Sequence, residues 1–406
     1  MKRFAILFFA WLFFCAPFYS AHADDAEIRA LRKEVSELKA IVEKLTQGQE
    51  KLTHGQEQNK VEITQIKPKP HSDFDVPTLK MQGFGHLQYD YSNQSFRDRP
   101  DKNTNRFATG NLGFTITSQI SKKLSFLNET LFKFQQSGNA NVTVERVLLK
   151  YEHASWLNVS IGREHTPLGY WNQHYHHARW MMTSTDRPVI YRVEASDGIL
   201  PMHYVGLGLF GDLGFDFGDI EYSVAIGNGR GRNTRTVQMI EDKNDEKQIA
   251  TKFTIQPSAL EGFGVGASFL YDVIPNDLGT VGRENEIDEI IAGGHLYYTR
   301  EPYELIAEYK HIRHDDSRSV KSHHGGYIQL AYSINKFKPY YRIGFLEIDS
   351  NDVFFANLNG VEDSIHHTVG LRYDWFPFAA IKLEYRRMDS KSEDSNSVTS
   401  QVSFIY

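Results

Sequence analysis

The sequence predicts an all-β protein, an antiparallel transmembrane β-barrel of about 16 strands preceded by a short N-terminal coiled-coil helix. Three observations predict this fold. Residues 1–23 have the pattern of a secretory signal peptide, segments that alternate apolar and polar residues follow one another from residue 78 onward, and the chain finishes on Tyr406 inside such a segment. A barrel strand that crosses a bilayer is apolar on one face only, which agrees with the mean hydropathy of −0.46.

The N-terminal segment 1–23 is predicted to be removed. Two basic residues precede an apolar run from Phe4 to Phe14, and small residues end at Ala21-His22-Ala23. This order is typical of a secretory signal peptide, and the apolar run is shorter than a membrane-spanning helix. Cys15 is the only cysteine, and the bulky residue before it disfavours a lipoprotein signal. The mature chain is therefore expected to contain no disulfide and no cysteine-based metal or redox site.

A heptad pattern follows the signal peptide. Its apolar positions are Ile28, Leu31, Val35, Leu38, Val42 and Leu45. Apolar residues spaced alternately by three and four form the seam of a coiled coil, so residues 24–66 are predicted to be a periplasmic coiled-coil segment that joins copies of the chain. An amphipathic helix that packs on its own barrel is the alternative. Residues 67–77 begin with Lys-Pro-Lys-Pro and are predicted to be an extended linker.

Residues 78–406 are predicted to form the barrel domain. Alternating runs begin at 79–89, and later strands are expected near 249–256, 263–273, 288–299, 303–313, 324–334, 337–348, 364–374, 380–389 and 396–406. Short turns such as 334–336 alternate with longer polar links such as 228–248 and 349–363. Short turns at one end and long loops at the other are typical of outer-membrane barrels, and about sixteen strands leave room for a water-filled lumen.

The last predicted strand ends on an aromatic residue. Val398, Ser400, Val402, Phe404 and Tyr406 alternate with Thr399, Gln401, Ser403 and Ile405. Aromatic side chains concentrate where barrel strands meet the membrane interface. This ending resembles the C-terminal assembly signal of bacterial outer-membrane barrels, and Phe404 and Tyr406 are its predicted residues.

The longest link between predicted strands runs from residue 162 to residue 203. Loops longer than about 15 residues are usually functional or disordered, and the aromatic residues and prolines of this one predict order. A loop folded into the lumen would narrow it with charged side chains, because rings of charge set pore selectivity. A lid over the outer mouth is the alternative. The candidate constriction residues are Arg163, Glu164, Arg179, Asp186, Arg187, Arg192, Glu194 and Asp197.

A candidate pore wall lies on the late strands. Alternation places one set of basic side chains on the face opposite the apolar one, namely Lys338, Arg342, Arg372, Lys382 and Arg386. Acidic residues occupy equivalent inward positions, namely Glu221, Glu304, Glu308 and Glu384. Because the two signs are mixed, the sequence predicts at most a modest preference for anions.

These features together resemble the phosphate-selective porin O and P superfamily. The resemblance rests on the coiled coil, the strand pattern, and the stretches Gly162-Arg-Glu-His-Thr-Pro-Leu-Gly-Tyr-Trp and Gly227-Asn-Gly-Arg-Gly. It implies a homotrimer of porin-like barrels in the outer membrane, each a water-filled channel for passive diffusion of small hydrophilic solutes and ions. Phosphate-specific members carry a ladder of arginines and a lysine cluster. The mixed signs of this chain do not repeat that pattern, so phosphate or oxyanion selectivity stays an alternative.

The expected partners are outer-membrane lipid, lipopolysaccharide and small hydrophilic solutes. The net charge of −6 argues against nucleic acid, whereas the 21 tyrosines and 27 phenylalanines suit interfacial girdles. A tether or adhesin, with the coiled coil as its working part and the barrel as its anchor, is a second functional class. An outer-membrane hydrolase is a third, although no spacing of Ser and His selects a catalytic triad.

No cofactor, metal or catalytic residue is predicted. The stretch 206–211 matches GxGxxG, but a strand follows it where a dinucleotide loop requires a helix. The pairs His323-His324 and His366-His367 alternate between faces, so each pair supplies at most one inward ligand. The loop histidines His174, His176 and His177 leave a metal site in the loop as an open alternative.

Overall fold

The computed structural model describes residues 78–135, 137–175, 181–192, 198–232, 244–279, 282–355, 358 and 361–406. The predicted signal peptide, the coiled-coil segment with its six heptad residues, and the linker lie outside the described residues. Within these ranges, no helix has the length and hydropathy needed to cross a membrane.

Sixteen antiparallel strands in the described part of the chain close into a barrel. They are β1 (Thr78–Phe96), β2 (Lys102–Gln119), β3 (Leu124–Phe134), β4 (Ala140–Ala154), β5 (Leu157–His165), β6 (His203–Phe215), β7 (Gly218–Gly227), β8 (Gln248–Pro257), β9 (Phe263–Ile274), β10 (Ile287–Tyr298), β11 (Tyr303–Asp315), β12 (Val320–Tyr332), β13 (Phe337–Glu347), β14 (Ser364–Phe376), β15 (Ala379–Ser390) and β16 (Glu393–Ile405). Each strand pairs with its sequence neighbours, and β1 pairs with β16. The predicted all-β barrel of about 16 strands is confirmed.

The alternation of side chains separates two faces of the barrel wall. On β9, the outward Val265 and Phe269 are 39% and 43% exposed, whereas Ser268 and Asp272 on the opposite face are buried. Outward residues of the other strands are likewise mostly apolar, and buried inward positions are frequently polar or charged. This distribution is the one expected of a barrel surrounded by lipid.

Short and long connections alternate around the barrel. The turns 155–156, 216–217 and 377–378 join strands at one end, whereas the loops 166–202 and 348–363 leave from the other. The described residues of the loop 166–202, called the inward loop below, include a short helix, α1 (Trp171–His174), and a 3₁₀ turn (Val189–Tyr191). The predicted alternation of turns and loops agrees with this arrangement.

The last residue helps to close the barrel. Tyr406 and Gly83 exchange two backbone hydrogen bonds, of 2.7 and 2.9 Å between nitrogen and oxygen. The ring of Tyr406 lies over Gly83 so closely that a Cβ at that position would be 2.3 Å from it. The same ring makes an edge contact with Phe114, with centroids 5.8 Å apart. The final aromatic residue therefore packs across the seam between the first and last strands.

A hydrophobic cluster fills part of the barrel interior. It joins buried residues of the inward loop, such as Ile190 and Leu200, to inward residues of the wall, such as Leu270, Ile306 and Ile312. Each of these five side chains is at most 1% exposed. The inward loop is thus packed against one side of the wall as a hydrophobic core would be.

Candidate functional site

The first half of the inward loop is held by one buried carboxylate. Glu308, on the inward face of β11, accepts hydrogen bonds from the backbone N–H groups of Tyr170 at 3.0 Å and Trp171 at 2.8 Å. It also accepts from the hydroxyls of Tyr191 at 2.6 Å and Tyr327 at 2.9 Å. Because all of these groups are buried, the bonds fix the loop inside the barrel.

The tip of the inward loop is held by basic residues of the wall. Arg342 donates to the Ser184 hydroxyl at 2.8 Å and to the carbonyl oxygens of Asp186 at 3.0 Å and Arg187 at 3.3 Å. The Nζ of Lys382 donates to the Ser184 carbonyl at 3.0 Å. Charged side chains of β13 and β15 therefore bind the loop backbone directly.

An acidic residue completes this anchor. Glu384 on β15 accepts from the backbone N–H of Thr185 at 3.0 Å and from the Tyr340 hydroxyl at 2.7 Å. Arg386 donates to the same carboxylate at 2.7 Å. The inward loop thus meets both signs of charge at its tip, and each charge is used to position the loop.

The five predicted wall residues face inward, but most of them act on the inward loop. Arg342 and Lys382 are buried beneath it. Arg372 donates to the Met182 carbonyl at 2.8 Å, and Lys338 lies 3.4 Å from the carboxylate of Glu304. Alternation identifies the face on which a side chain lies and not what covers it. Three of the predicted wall residues, Arg342, Arg372 and Lys382, therefore prove to be anchors of the inward loop.

The predicted constriction residues fall into several places. The inward loop begins after His165, so Arg163 and Glu164 lie on β5. Arg163 pairs with the outward-facing Val147 in the ladder, and its Nε donates to the Glu145 carbonyl at 3.1 Å. Glu164 faces the interior, 3.5 Å from Arg146.

The remaining constriction candidates belong to the inward loop. Asp186 is at its tip, whereas Arg187 is buried, with its guanidinium over the Trp171 ring at 5.4 Å. Arg192 follows the 3₁₀ turn and is half-buried. Arg179, Glu194 and Asp197 lie outside the described residues.

An open cavity of about 430 Å³ separates the tip of the inward loop from β1, β2, β15 and β16. Its charged lining residues are Asp90, Lys102, Arg106, Asp186 and Arg386. The Arg106–Asp90 and Arg386–Asp186 distances, nitrogen to oxygen, are 3.9 and 3.8 Å. All four of these side chains line the cavity, and Arg386 also donates to Glu384 at 2.7 Å. The cavity brings three cations and two carboxylates together.

Three of these five lining residues were missing from the sequence prediction. Asp90, Lys102 and Arg106 belong to the first two strands, where they lie on the inward face opposite outward residues such as Tyr91 and Phe107. Alternation in β1 and β2 could have identified them. Their role as cavity-lining residues depends on the position of the loop tip, because the tip covers one part of the wall and leaves another part exposed.

A second cavity of about 300 Å³ lies under the start of the inward loop. Its charged lining residues include Arg146, Glu164 and Glu221, and His174 lies beside them. Arg146 binds Glu129 at 2.7 Å as well as Glu164 at 3.5 Å. The interior next to β4 and β5 therefore also presents charges of both signs.

No model of a known protein family matches the chain, and no curated protein sequence matches it. Several solved structures, however, are similar to this chain. An anion-selective porin from Comamonas acidovorans is similar, with 10% sequence identity and a TM-score of 0.57 over 81% of this chain and 100% of that one. The OmpF protein of Salmonella typhi in complex with daunomycin has 13% identity and a TM-score of 0.53 over 81% and 97% of the two chains.

OmpT, an outer-membrane-expressed protein of Vibrio cholerae, is similar as well. It has 11% identity and a TM-score of 0.51 over 82% of this chain and 98% of that one. At such low identities the likeness concerns the fold. The chain has the closed, sixteen-stranded fold of porins, and these comparisons do not confirm the narrower resemblance to the phosphate-selective superfamily.

Proposed function

We propose that this chain is an outer-membrane porin that forms a water-filled channel for passive diffusion of small hydrophilic solutes and ions. The observation that carries the proposal is a barrel with an apolar outer face whose inward loop leaves a charged cavity open beside it. Barrels of about sixteen strands are wide enough to hold an aqueous lumen. In this proposal the loop narrows the passage, and the cavity beside its tip belongs to the part that stays open.

The charges beside the loop tip set the proposed selectivity. Three cations and two carboxylates line the 430 Å³ cavity, which supports a modest preference for anions and passage of small ions of either sign. Arg342 and Lys382 are buried against the loop, so they are not available as an exposed basic ladder for phosphate. This arrangement favours a general porin over a phosphate-selective one.

Assembly and location complete the proposal. The heptad residues 28–45 support a homotrimer joined by periplasmic helices. The signal-peptide pattern supports export and cleavage after Ala23. The apolar outer face supports contact with outer-membrane lipid, and the charged loop end supports contact with lipopolysaccharide. Phe404 and Tyr406 are proposed to be the assembly signal.

Conductance measurements test the channel. Purified protein in a planar lipid bilayer is expected to produce discrete, ohmic current steps. With a salt gradient across the bilayer, the reversal potential should indicate a modest excess of anion over cation flux. That excess should shrink at high salt, because the Debye length falls from about 10 Å at 0.1 M to about 3 Å at 1 M. Folded barrels that open no channel would contradict the proposal.

A further inference from the structure

A second loop packs into the barrel interior. The described residues 349–355 of the connection between β13 and β14, called the mouth loop below, place Phe354 and Phe355 in the buried interior cluster. The ring of Phe355 packs against His314 of β11 and His323 of β12, with centroids 4.9 and 4.8 Å apart. Both histidines are inward-facing residues of the wall. The mouth loop therefore folds into the barrel interior.

His314 lies between two carboxylates from different elements. Its Nδ1 is 2.6 Å from Oδ2 of Asp352 in the mouth loop, and its Nε2 is 3.0 Å from Oε1 of Glu289 on β10. All three side chains are buried. Arg230 lies 3.0 Å from Glu289, and Asp352 accepts from two backbone N–H groups, contacts that favour the ionised form of both carboxylates. An ionised carboxylate only accepts hydrogen bonds, so both ring nitrogens of His314 carry a proton and the ring is positively charged.

His323 has a different protonation state. Its Nδ1 accepts a hydrogen bond from the backbone N–H of Asp349 at 3.2 Å, so its proton is on Nε2, which donates to Oδ2 of Asp352 at 2.8 Å. Oδ1 of Asp352 accepts from the backbone N–H groups of Phe354 and Phe355 at 2.7 and 3.1 Å. Both oxygens of Asp352 are fully used.

A metal ion is the other ligand that this cluster suggests. Ligand atoms of His314, His323 and Asp352 lie within 4.8 Å of one another. A histidine ligand must offer the metal an unprotonated nitrogen. A histidine that binds a metal through Nε2 keeps its proton on Nδ1, whereas Nδ1 of His323 accepts a hydrogen bond from the backbone N–H of Asp349. The hydrogen-bond pattern therefore favours a proton over a metal ion as the link.

The other charged groups around this cluster come from three more elements, and one of them is Arg283 in the loop after β9, whose charge interacts with Asp352. Arg230, in the loop after β7, lies 3.0 Å from Oε2 of Glu289 and over the Phe354 ring at 5.4 Å. Its backbone N–H donates to Asp272 of β9 at 2.7 Å, and its guanidinium donates to the Ile199 carbonyl of the inward loop. Because His314 is an imidazolium and Arg230 a guanidinium, His314 is the cation of this cluster that a change of pH can remove.

We propose that His314 is a proton-dependent latch that holds the mouth loop in the interior cluster, outside the lining of the cavity at the inward-loop tip, and releases it when the imidazolium loses its proton. After deprotonation only one ring nitrogen can donate, so either Asp352 or Glu289 is left as a buried carboxylate without that donor. Each carboxylate keeps its other partners, but the loss of one charge-assisted hydrogen bond inside a buried cluster is unfavourable. Detachment of the mouth loop, which brings Asp352 into water, relieves that cost, so alkaline pH should release the mouth loop.

Mild acid should leave the latch closed. Burial by itself raises the pKa of Asp352, but the hydrogen bonds from His314 and His323 outweigh it and hold that pKa well below its usual value. A carboxylate with a depressed pKa contributes its full stabilisation above its unfolded-state pKa of about 3.9 and loses it as the pH falls from there through the folded-state value. The latch therefore opens in the alkaline direction.

Limited proteolysis of the folded, full-length protein tests the latch. Chymotrypsin cleavage after Phe354 and Phe355 is followed by mass spectrometry at about pH 6 and about pH 10, on either side of a stabilised histidine's titration. The rate for His314→Gln is divided by the parent's rate at the same pH, which cancels the pH dependence of the protease. We expect a ratio of about ten or more at the lower pH, the effect of losing one charged hydrogen bond. The ratio should approach one at the higher pH.

Two further variants make the test specific. His311→Gln changes a histidine on the same strand whose ring lies on the outer face beside His324, and its ratio should be one at both pH values. Asp352→Asn breaks the latch from the loop side and should behave as His314→Gln does. Because residue 352 lies outside the strands, this variant keeps the test valid even where His314→Gln impairs barrel folding.

Three results would overturn the latch. A ratio of one at the lower pH for both His314→Gln and Asp352→Asn would show that the cluster does not hold the loop. Cleavage of the parent that is equally slow at both pH values, after correction for protease activity on an unfolded reference peptide, would show that no proton controls it. Protection that a chelator abolishes and zinc restores would show that a metal ion, not a proton, closes the loop.

Discussion

Arg386 and Arg387 are neighbours on β15 and lie on opposite sides of the barrel wall. Arg386 faces the interior, where it donates to Glu384 at 2.7 Å and lines the cavity beside the loop tip. Arg387 faces outward and pairs with Asp389, its Nε donating at 3.0 Å. The two residues have the same charge and are adjacent along β15. They therefore form a matched pair for measuring how an inward charge affects ion selectivity.

Replacement of Arg386 by Gln is expected to weaken the preference for anions. One unit charge at about 10 Å in water is worth about 0.4 kcal/mol to a passing ion, which is about a twofold change in relative ion entry. Reversal potentials in a salt gradient should shift toward cation flux for Arg386→Gln and, by a similar amount, for Arg106→Gln. Arg387→Gln should leave the potential unchanged. Equal shifts for Arg386→Gln and Arg387→Gln would show that the cavity charges do not set selectivity.

Replacement of Glu308 by Gln is expected to loosen the inward loop. The amide would turn an N–H group toward at least one of the donors that Glu308 now accepts from, namely Tyr170, Trp171, Tyr191 and Tyr327. Loss of one such charged hydrogen bond costs about 1.5–3 kcal/mol. Single-channel records should show frequent brief changes of conductance, and the thermal unfolding midpoint should fall. The control is Glu347→Gln, at an exposed residue of β13. If Glu308→Gln changes conductance no more often than this control, the anchor role of Glu308 is contradicted.

The strands could be predicted because a lipid-facing barrel constrains every second residue. The expected strand 263–273 is observed as Phe263–Ile274, and 337–348 as Phe337–Glu347. The expected strand 324–334 is observed as Val320–Tyr332. It begins earlier because its first residues pair with the end of β11, where Ser322 lies opposite Arg313. Period-two alternation identifies a strand, whereas ladder pairing with a neighbour decides where it ends.

The site could be predicted only in part because it depends on contacts between distant segments. Arg342 reaches Ser184 across 158 residues of sequence, and Lys382 reaches the same residue across 198. Alternation placed both on the inward face, which the burial supports. It gave no sign that the inward loop would cover them and leave Arg106 exposed to the cavity. The position of the inward loop determines which charges of the wall are exposed to a solute. That position depends on hydrogen bonds such as those to Glu308.

The proposed trimer depends on the heptad residues. Full-length protein is expected to migrate as a heat-modifiable trimer in semi-native electrophoresis. Deletion of residues 24–66 should lower the temperature at which it dissociates, because short coiled-coil helices are stable only with their partners. Leu38→Ala should act in the same direction, and Glu37→Ala, next to it on the charged face, should not. A full-length monomer would contradict the trimer, and unchanged dissociation after the deletion would assign trimer stability to barrel contacts.

The contact between Tyr406 and Gly83 predicts how the barrel closes. Tyr406→Ser removes the ring that packs on Gly83 and Phe114, and it should reduce the amount of folded barrel in the outer membrane. Gly83→Ala should do the same from the other strand, because its Cβ would fall 2.3 Å from the Tyr406 ring and force that ring away.

Gly214→Ala is the matched control for the closure prediction. A Cβ at that strand position meets only Asp219 Oδ1, at an ordinary 3.5 Å, so this variant should fold as the parent does. The measurement is the heat-modifiable fraction in isolated outer membranes, compared at equal synthesis. If Tyr406→Ser reduces folded protein and Gly83→Ala does not, the aromatic residue acts before the seam forms, as a recognition signal. If both reduce it equally, packing at the seam is the limiting contribution, since the two variants share only that contact.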